Sequence, residues 1–119
     1  MQKARLDGAK LLLAIAQRAD FSGASLKNAN LEQTKGSDSV FVEADLSGAR
    51  MRWSVLQRAD LRGANLVGAD LYSADLAEAD LTGASLEGAN LEGADFKNAI
   101  WIDGTFYITC SCDWKAYSN

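Results

Sequence analysis

The sequence predicts an all-β solenoid, a single domain over residues 1–119 wound as a β-helix from five-residue units. Three observations carry this. Small residues recur at every fifth position from Ala4 to Gly104, in all 21 units. Two positions later, large apolar residues recur from Leu6 to Phe106 in 19 of the same 21 units, with Ala16 and Gly36 the exceptions. Eight of the ten glycines share one further position: Gly8, Gly23, Gly48, Gly63, Gly68, Gly83, Gly88 and Gly93. No insertion breaks the register, and a period of five residues matches neither a helix nor a long strand.

Each unit begins as a very short strand. Small, polar and large residues in succession point in, out and in, because side chains alternate along extended backbone. The remaining two positions turn the chain, and glycine at the second supplies the positive φ of a type II turn. Proline is absent, as suits a fold in which almost every N–H donates to a ladder.

A period of five does not by itself fix the number of units per coil, but stacking residues twenty apart supports four. One inward column then reads Phe21, Phe41, Leu61, Leu81, Trp101, and its neighbour reads Ala16, Gly36, Leu56, Leu76, Phe96. Both small central residues thus lie beside a Phe, which reads as volume compensation in a close-packed core. A corner column reads Arg18, Asp38, Arg58, Glu78, and alternating signs avoid stacked repulsion. Four sides per coil are expected.

The units Ala59-Asp60-Leu61-Arg62-Gly63 and Ala89-Asn90-Leu91-Glu92-Gly93 resemble the A(D/N)LXX signature of the pentapeptide-repeat family, over about residues 4–106. The resemblance implies a right-handed quadrilateral β-helix (repeat-five-residue fold), with four repeats per coil; the number of units makes about five coils. Lys35, Val40, Arg50 and Val55 depart from Asp/Asn, and Ala16 and Gly36 from the central Leu. Residues from about 107 to 119 leave the repeat. They are expected to form a short C-terminal cap in which Trp114 and Tyr117 cover the last coil, or else a partner-binding tail.

Composition narrows function. A net charge of −4 argues against a phosphate-binding surface, so no nucleic-acid partner is expected. Without His there is no Ser/His/Asp triad, and a convex rod offers no cleft, so no enzyme is expected. Asp60 over Asp80, and Asp75 over Asp95, read as solvent-facing signature residues rather than an acid–base pair or cation site. Cys110 and Cys112 supply at most half a zinc site and are too close for an unstrained disulfide, so they read as free thiols in the cap. No cofactor or metal is implied. The apolar run Leu11 to Ala16 is too short to span a membrane and no cleavage site follows it; a cytoplasmic protein with no membrane partner is expected.

The remaining reading is a non-enzymatic protein-interaction module with an unknown protein partner. Outward Leu12, Leu13, Ile15, Trp53, Val55 and Tyr72 map to one edge and its flanking sides, and clustered exposed apolar residues mark an interface. Glu32, Gln33 and Lys35 interrupt the cluster. Val40 and Val42 fall together on another side. Met1, Gln2 and Lys3 cannot cover the first coil, which suggests a homodimer through that coil or the apolar edge beside it. Alternatively, residues 1–18 form a capping helix with Leu6, Ala9, Leu13 and Ala16 on one face. The family resemblance supplies a second functional alternative: some longer members are acidic dimers that resemble duplex DNA and inhibit type II topoisomerases. A mimic needs continuous acidic stripes, and Arg18, Arg50, Arg52, Arg58 and Arg62 break up the acid here.

Overall fold

The computed structural model describes residues 3–100. Sixteen parallel bridges each join a residue to the one twenty positions on, from Arg5–Ser25 to Asp80–Ile100. Four five-residue sides therefore close each coil, and successive coils stack in register. Side one carries Leu6 and Leu26, side two Leu11 and Leu31, side three Ala16 and Gly36, and side four Phe21 and Phe41, each followed at twenty-residue steps by the next coil.

The ladder begins at once. Arg5, Lys10 and Ile15 bridge to Ser25, Asn30 and Lys35, so the capping helix over residues 1–18 is not formed across its described part, residues 3–18. The reason is backbone satisfaction. The N–H groups of Ser25, Asn30 and Lys35 donate to the carbonyls of Ala4, Ala9 and Ala14, and a helix would have withdrawn those acceptors into its own hydrogen bonds. Trp101, Phe106, the cap expected at about 107–119, Cys110, Cys112, Trp114 and Tyr117 lie outside the described residues.

Within a unit, four of the five backbone donors are placed by the chain trace itself. The bridge residue donates to the preceding coil, as Asn65 does to Ala44. The central and second-corner residues donate to the following coil, as Leu66 does to Ser85 and Gly68 to Glu87. The small residue closes the turn, as Ala69 does on Leu66. The fifth donor, at the first corner position, has no carbonyl within reach, and the Asp or Asn two residues earlier accepts it. Asp20, Asn30, Asp45, Asn65, Asp70, Asp75, Asp80, Asn90 and Asp95 accept in this way from Ser22, Glu32, Ser47, Val67, Tyr72, Ala77, Thr82, Glu92 and Lys97. The signature residue is thus an Asx-turn acceptor. Where Ser25 replaces it, the N–H of Lys27 reaches Asp7 in the neighbouring coil.

The second corner position has positive φ in every described unit from Lys3 to Asn98, twelve times at a residue other than glycine. Eight of these corners are glycine, which takes this conformation without a Cβ clash. The others carry a local cost, largest for bulky side chains.

The core is a column of Ala under a column of Leu, Met and Phe, nearly all buried from Phe21 to Ala99. Thr34, Ser39 and Ser54 are buried in the small-residue positions and donate their hydroxyls to the carbonyls of Leu11, Gly36 and Met51. The two small central residues behave differently. A Cβ on Gly36 would lie 3.0 Å from Leu56 Cδ2 and 3.4 Å from Ser39 Oγ, so Leu56 and Ser39 rather than Phe41 fill that space. Ala16 instead borders a cavity of about 340 Å³ whose walls include Leu11, Phe21, Leu31 and Phe41. Phe21 and Phe41 stack on each other with centroids 5.0 Å apart but do not fill it. Volume compensation is complete at Gly36 and incomplete at Ala16.

Candidate functional site

The six predicted surface residues lie along the corner between sides two and three and on the strands that flank it. Leu13 and Trp53 occupy the same corner column, two coils apart, both with positive φ (63° and 58°). Leu12 and Tyr72 lie one position earlier, in the column that also holds Glu32 and Arg52. Ile15 and Val55 share a bridge column, with Lys35 paired to each. Leu12, Leu13, Ile15 and Trp53 are 48%, 61%, 76% and 46% exposed, while Val55 and Tyr72 are half-buried. Trp53 meets Tyr72 edge-on with centroids 5.9 Å apart. The Arg52 guanidinium lies 5.3 Å from the Tyr72 ring centroid and pairs with Asp70 at 2.5 Å. Trp53, Tyr72, Arg52 and Asp70 thus form one organised patch, in which the ion pair and the cation–π contact hold the ring that supports Trp53.

Charge is uneven between coils when all four sides are counted together. Coil 3–22 carries Lys3, Arg5, Lys10 and Arg18 against Asp7 and Asp20, whereas residues 63–82 carry Asp70, Asp75, Glu78 and Asp80 with no Lys or Arg. At the next corner Arg58 grips Asp38 with two hydrogen bonds of 3.0 and 3.1 Å. That contact, aided by the more distant Arg18, holds the Asp38 carboxyl below its ordinary range, and Asp38 in turn raises the Arg58 guanidinium. The alternating column thus aligns as its signs require. Gln17, Ser37 and Gln57 line an open polar groove with Arg18, Asp38 and Arg58.

The stacked carboxylates do different work from a catalytic pair. Asp60 accepts both Nε and Nη2 of Arg62, which lowers its pKa, and Asp80 accepts the backbone N–H and hydroxyl of Thr82. Asp75 accepts from Ala77 and Gln57, and Asp95 from Lys97. Among the described residues, no group of three or more His, Cys, Asp or Glu could hold a metal ion. Val40 and Val42 lie on side four, each half-buried. No outward column of the described residues holds more than two acids in succession, so the continuous acidic stripe needed for duplex mimicry is not formed there.

Sequence reasoning missed the Asx-turn role of the signature residue and the support of Trp53 by Tyr72. The first was readable from counting backbone donors per unit. The second required knowing that residues nineteen apart adjoin across a coil.

A profile of pentapeptide repeats matches the chain with 8 copies over residues 17–52, 54–93 and 74–100. Among solved structures, the pentapeptide repeat protein Rfr23 from the cyanobacterium Cyanothece 51142 is 27% identical, with a TM-score of 0.74 over 92% of this chain and 88% of that one. A pentapeptide repeat protein from the Arabidopsis thaliana thylakoid lumen is 31% identical, with a TM-score of 0.68 over 86% of this chain and 71% of that one. QnrB1, a plasmid-mediated fluoroquinolone resistance protein, is 22% identical with a TM-score of 0.63 over 83% of this chain and 63% of that one, a likeness of fold alone. No curated protein matches.

Proposed function

The chain belongs to the pentapeptide-repeat family, and on that premise we propose that it is a non-enzymatic protein-interaction module that docks a protein partner along the Leu12, Leu13, Ile15, Trp53, Val55 and Tyr72 edge. The finer architecture belongs to the same reading: a right-handed rod of about five coils, closed by a short cap at about residues 107–119. The observation that carries the proposal is the placement of Leu13 and Trp53. Both are large, apolar and exposed at a corner where positive φ favours glycine. Leu13 is mostly exposed and buries little against the rod, and its use is on the outside. Duplex mimicry is the weaker reading, since the acids are broken into short runs by paired arginines.

The test is a photoreactive residue placed at position 53, and a control at Arg62 on side four, expressed in the native host. A discrete crosslinked product from position 53 that is lost with Leu13→Lys is expected. Equal products from both positions, or none from position 53, would overturn the docking edge.

A further inference from the structure

Large apolar residues fill the central position in 19 of 21 units, and Ala16 is one of the two exceptions. At Gly36, the other, Leu56 and Ser39 take up the room. Beside Ala16 the room stays open as a cavity of about 340 Å³. We propose that this cavity is a binding site for one small, uncharged aromatic molecule of about two fused rings.

The cavity is built from two coils. Its floor is buried and comprises Phe21, Leu31, Thr34 and Phe41. Its rim meets solvent: Ile15 is 76% exposed, and Ala16, Ala19 and Asp20 are partly buried. A ligand thus has a way in and an apolar surface to pack against. Phe21 and Phe41 stack 5.0 Å apart and within 10° of parallel. They form a rigid aromatic wall, on which a flat ring packs offset or edge-on. Volume sets the size of the occupant. An apolar cavity of about 150 Å³ stays dry and takes benzene. At about 340 Å³ this one has room for roughly twice as much, a fused pair of rings with about nine or ten heavy atoms.

The lining selects against charge. Thr34 donates its hydroxyl to the carbonyl of Leu11 at 2.9 Å, so that proton is already used. Asp20 accepts the N–H and the hydroxyl of Ser22 at 2.9 and 2.6 Å, so the lining carboxylate is engaged at its own corner. Among the described residues no cationic side chain lines the cavity. An anionic ligand would bury its charge unpaired and beside Asp20. A neutral ring meets no such cost and shields the apolar rim and walls from water. Leu at position 16 would fill the same space from within the chain, so Ala there gives up rod stability and keeps the space open.

Titration of the full chain with indole, followed by NMR of its methyl and aromatic groups, tests this. Saturable binding of one indole per chain is expected, with a dissociation constant on the order of hundreds of micromolar. Shifts are expected to be confined to the methyls of Leu11, Ile15, Leu31 and Thr34 and the rings of Phe21 and Phe41. Indole-3-acetate, the same rings with a carboxylate, is expected to bind about tenfold more weakly or less. Ala16→Leu is expected to melt at a higher temperature and yet to lose indole binding by about tenfold or more. Ala16→Val, the smaller addition, serves as a second variant and is expected to weaken binding by about threefold. No saturable binding, shifts scattered over the surface, equal binding of indole and indole-3-acetate, or binding unchanged in the folded Ala16 variants would each overturn the site.

Discussion

Coil 3–22 and the coil spanning residues 63–82 are written in the same five-residue unit and use it differently. In residues 63–82 every central residue is a buried Leu, and every bridge residue is an Asn or Asp that accepts the N–H two residues on. In coil 3–22 the central residues Leu6, Leu11 and Ala16 are only partly buried, and three of the four bridge residues are Arg5, Lys10 and Ile15, none of which has a side-chain acceptor. One corner of that coil is Leu13. The comparison separates two uses of sequence: units that obey the pattern hold the rod together, and units that depart from it shape its surface.

The contrast is sharpest in the core. Leu76→Ala is expected to cost about 3–4 kcal/mol, because the site is fully buried and flanked by coils on both sides. Leu11→Ala, at a partly buried site, is expected to cost about 1–2 kcal/mol. Equal losses in chemical denaturation would break the comparison.

Next come the two departures in side three. Gly36→Leu restores the consensus residue but drives a side chain into Leu56 and Ser39, and is expected to destabilise by about 1–3 kcal/mol. Ala16→Leu enters the cavity beside Phe21 and is expected to stabilise by about 1 kcal/mol. Installing Leu at the same position of side three thus has opposite signs one coil apart, as differential scanning calorimetry would show. A raised melting temperature for Gly36→Leu would refute the packing account.

Smaller again is the Asx acceptor. Asn65→Ala strands the N–H of Val67 and is expected to cost about 1 kcal/mol, whereas Arg5→Ala, which removes no such acceptor, is expected to change urea midpoints little. Acid adds a related test. Asp7, Asp38 and Asp60 are held below the ordinary value of 3.8 by hydrogen bonds from Ser25, Arg58 and Arg62 respectively. A lowered folded-state pKa contributes stability that is fully present above 3.8 and is lost as pH falls through the folded value. Stability is therefore expected to be flat from neutral pH to about 5 and to fall below about 4, read from melting curves against pH.

Much of the fold was legible because the unit is short and repeated without a break: register, sides, buried columns and corners all follow from spacing. The twenty-residue coil, implied by the family resemblance, drew support from Arg18, Asp38 and Arg58, whose signs alternate at that stacking and not at fifteen. The first coil was ambiguous because Leu6, Ala9, Leu13 and Ala16 satisfy a helical spacing as well as the five-residue one; only the demand of Ser25, Asn30 and Lys35 for carbonyl partners decides it. At Gly36 the sequence pointed to Phe41, the neighbour along the chain, when Leu56 in the next coil is the residue in contact. On the edge, spacing placed the six apolar residues on one corner, but the support of Trp53 by Tyr72 and Arg52 depends on ring orientation, which no periodicity encodes.

The central claim is that departures on the edge serve the surface and not the rod, and Leu13→Gly tests it most directly. Leu13 is 61% exposed with φ of 63°. Glycine relieves about 1–2 kcal/mol of backbone strain there and returns about 0.5–1 kcal/mol through the freer unfolded chain. Thermal denaturation is expected to show a melting temperature equal to or above that of the parent, while the crosslink from position 53 is lost. A melting temperature lowered by the equivalent of more than about 1 kcal/mol would mean that Leu13 holds the rod together, and would contradict the account.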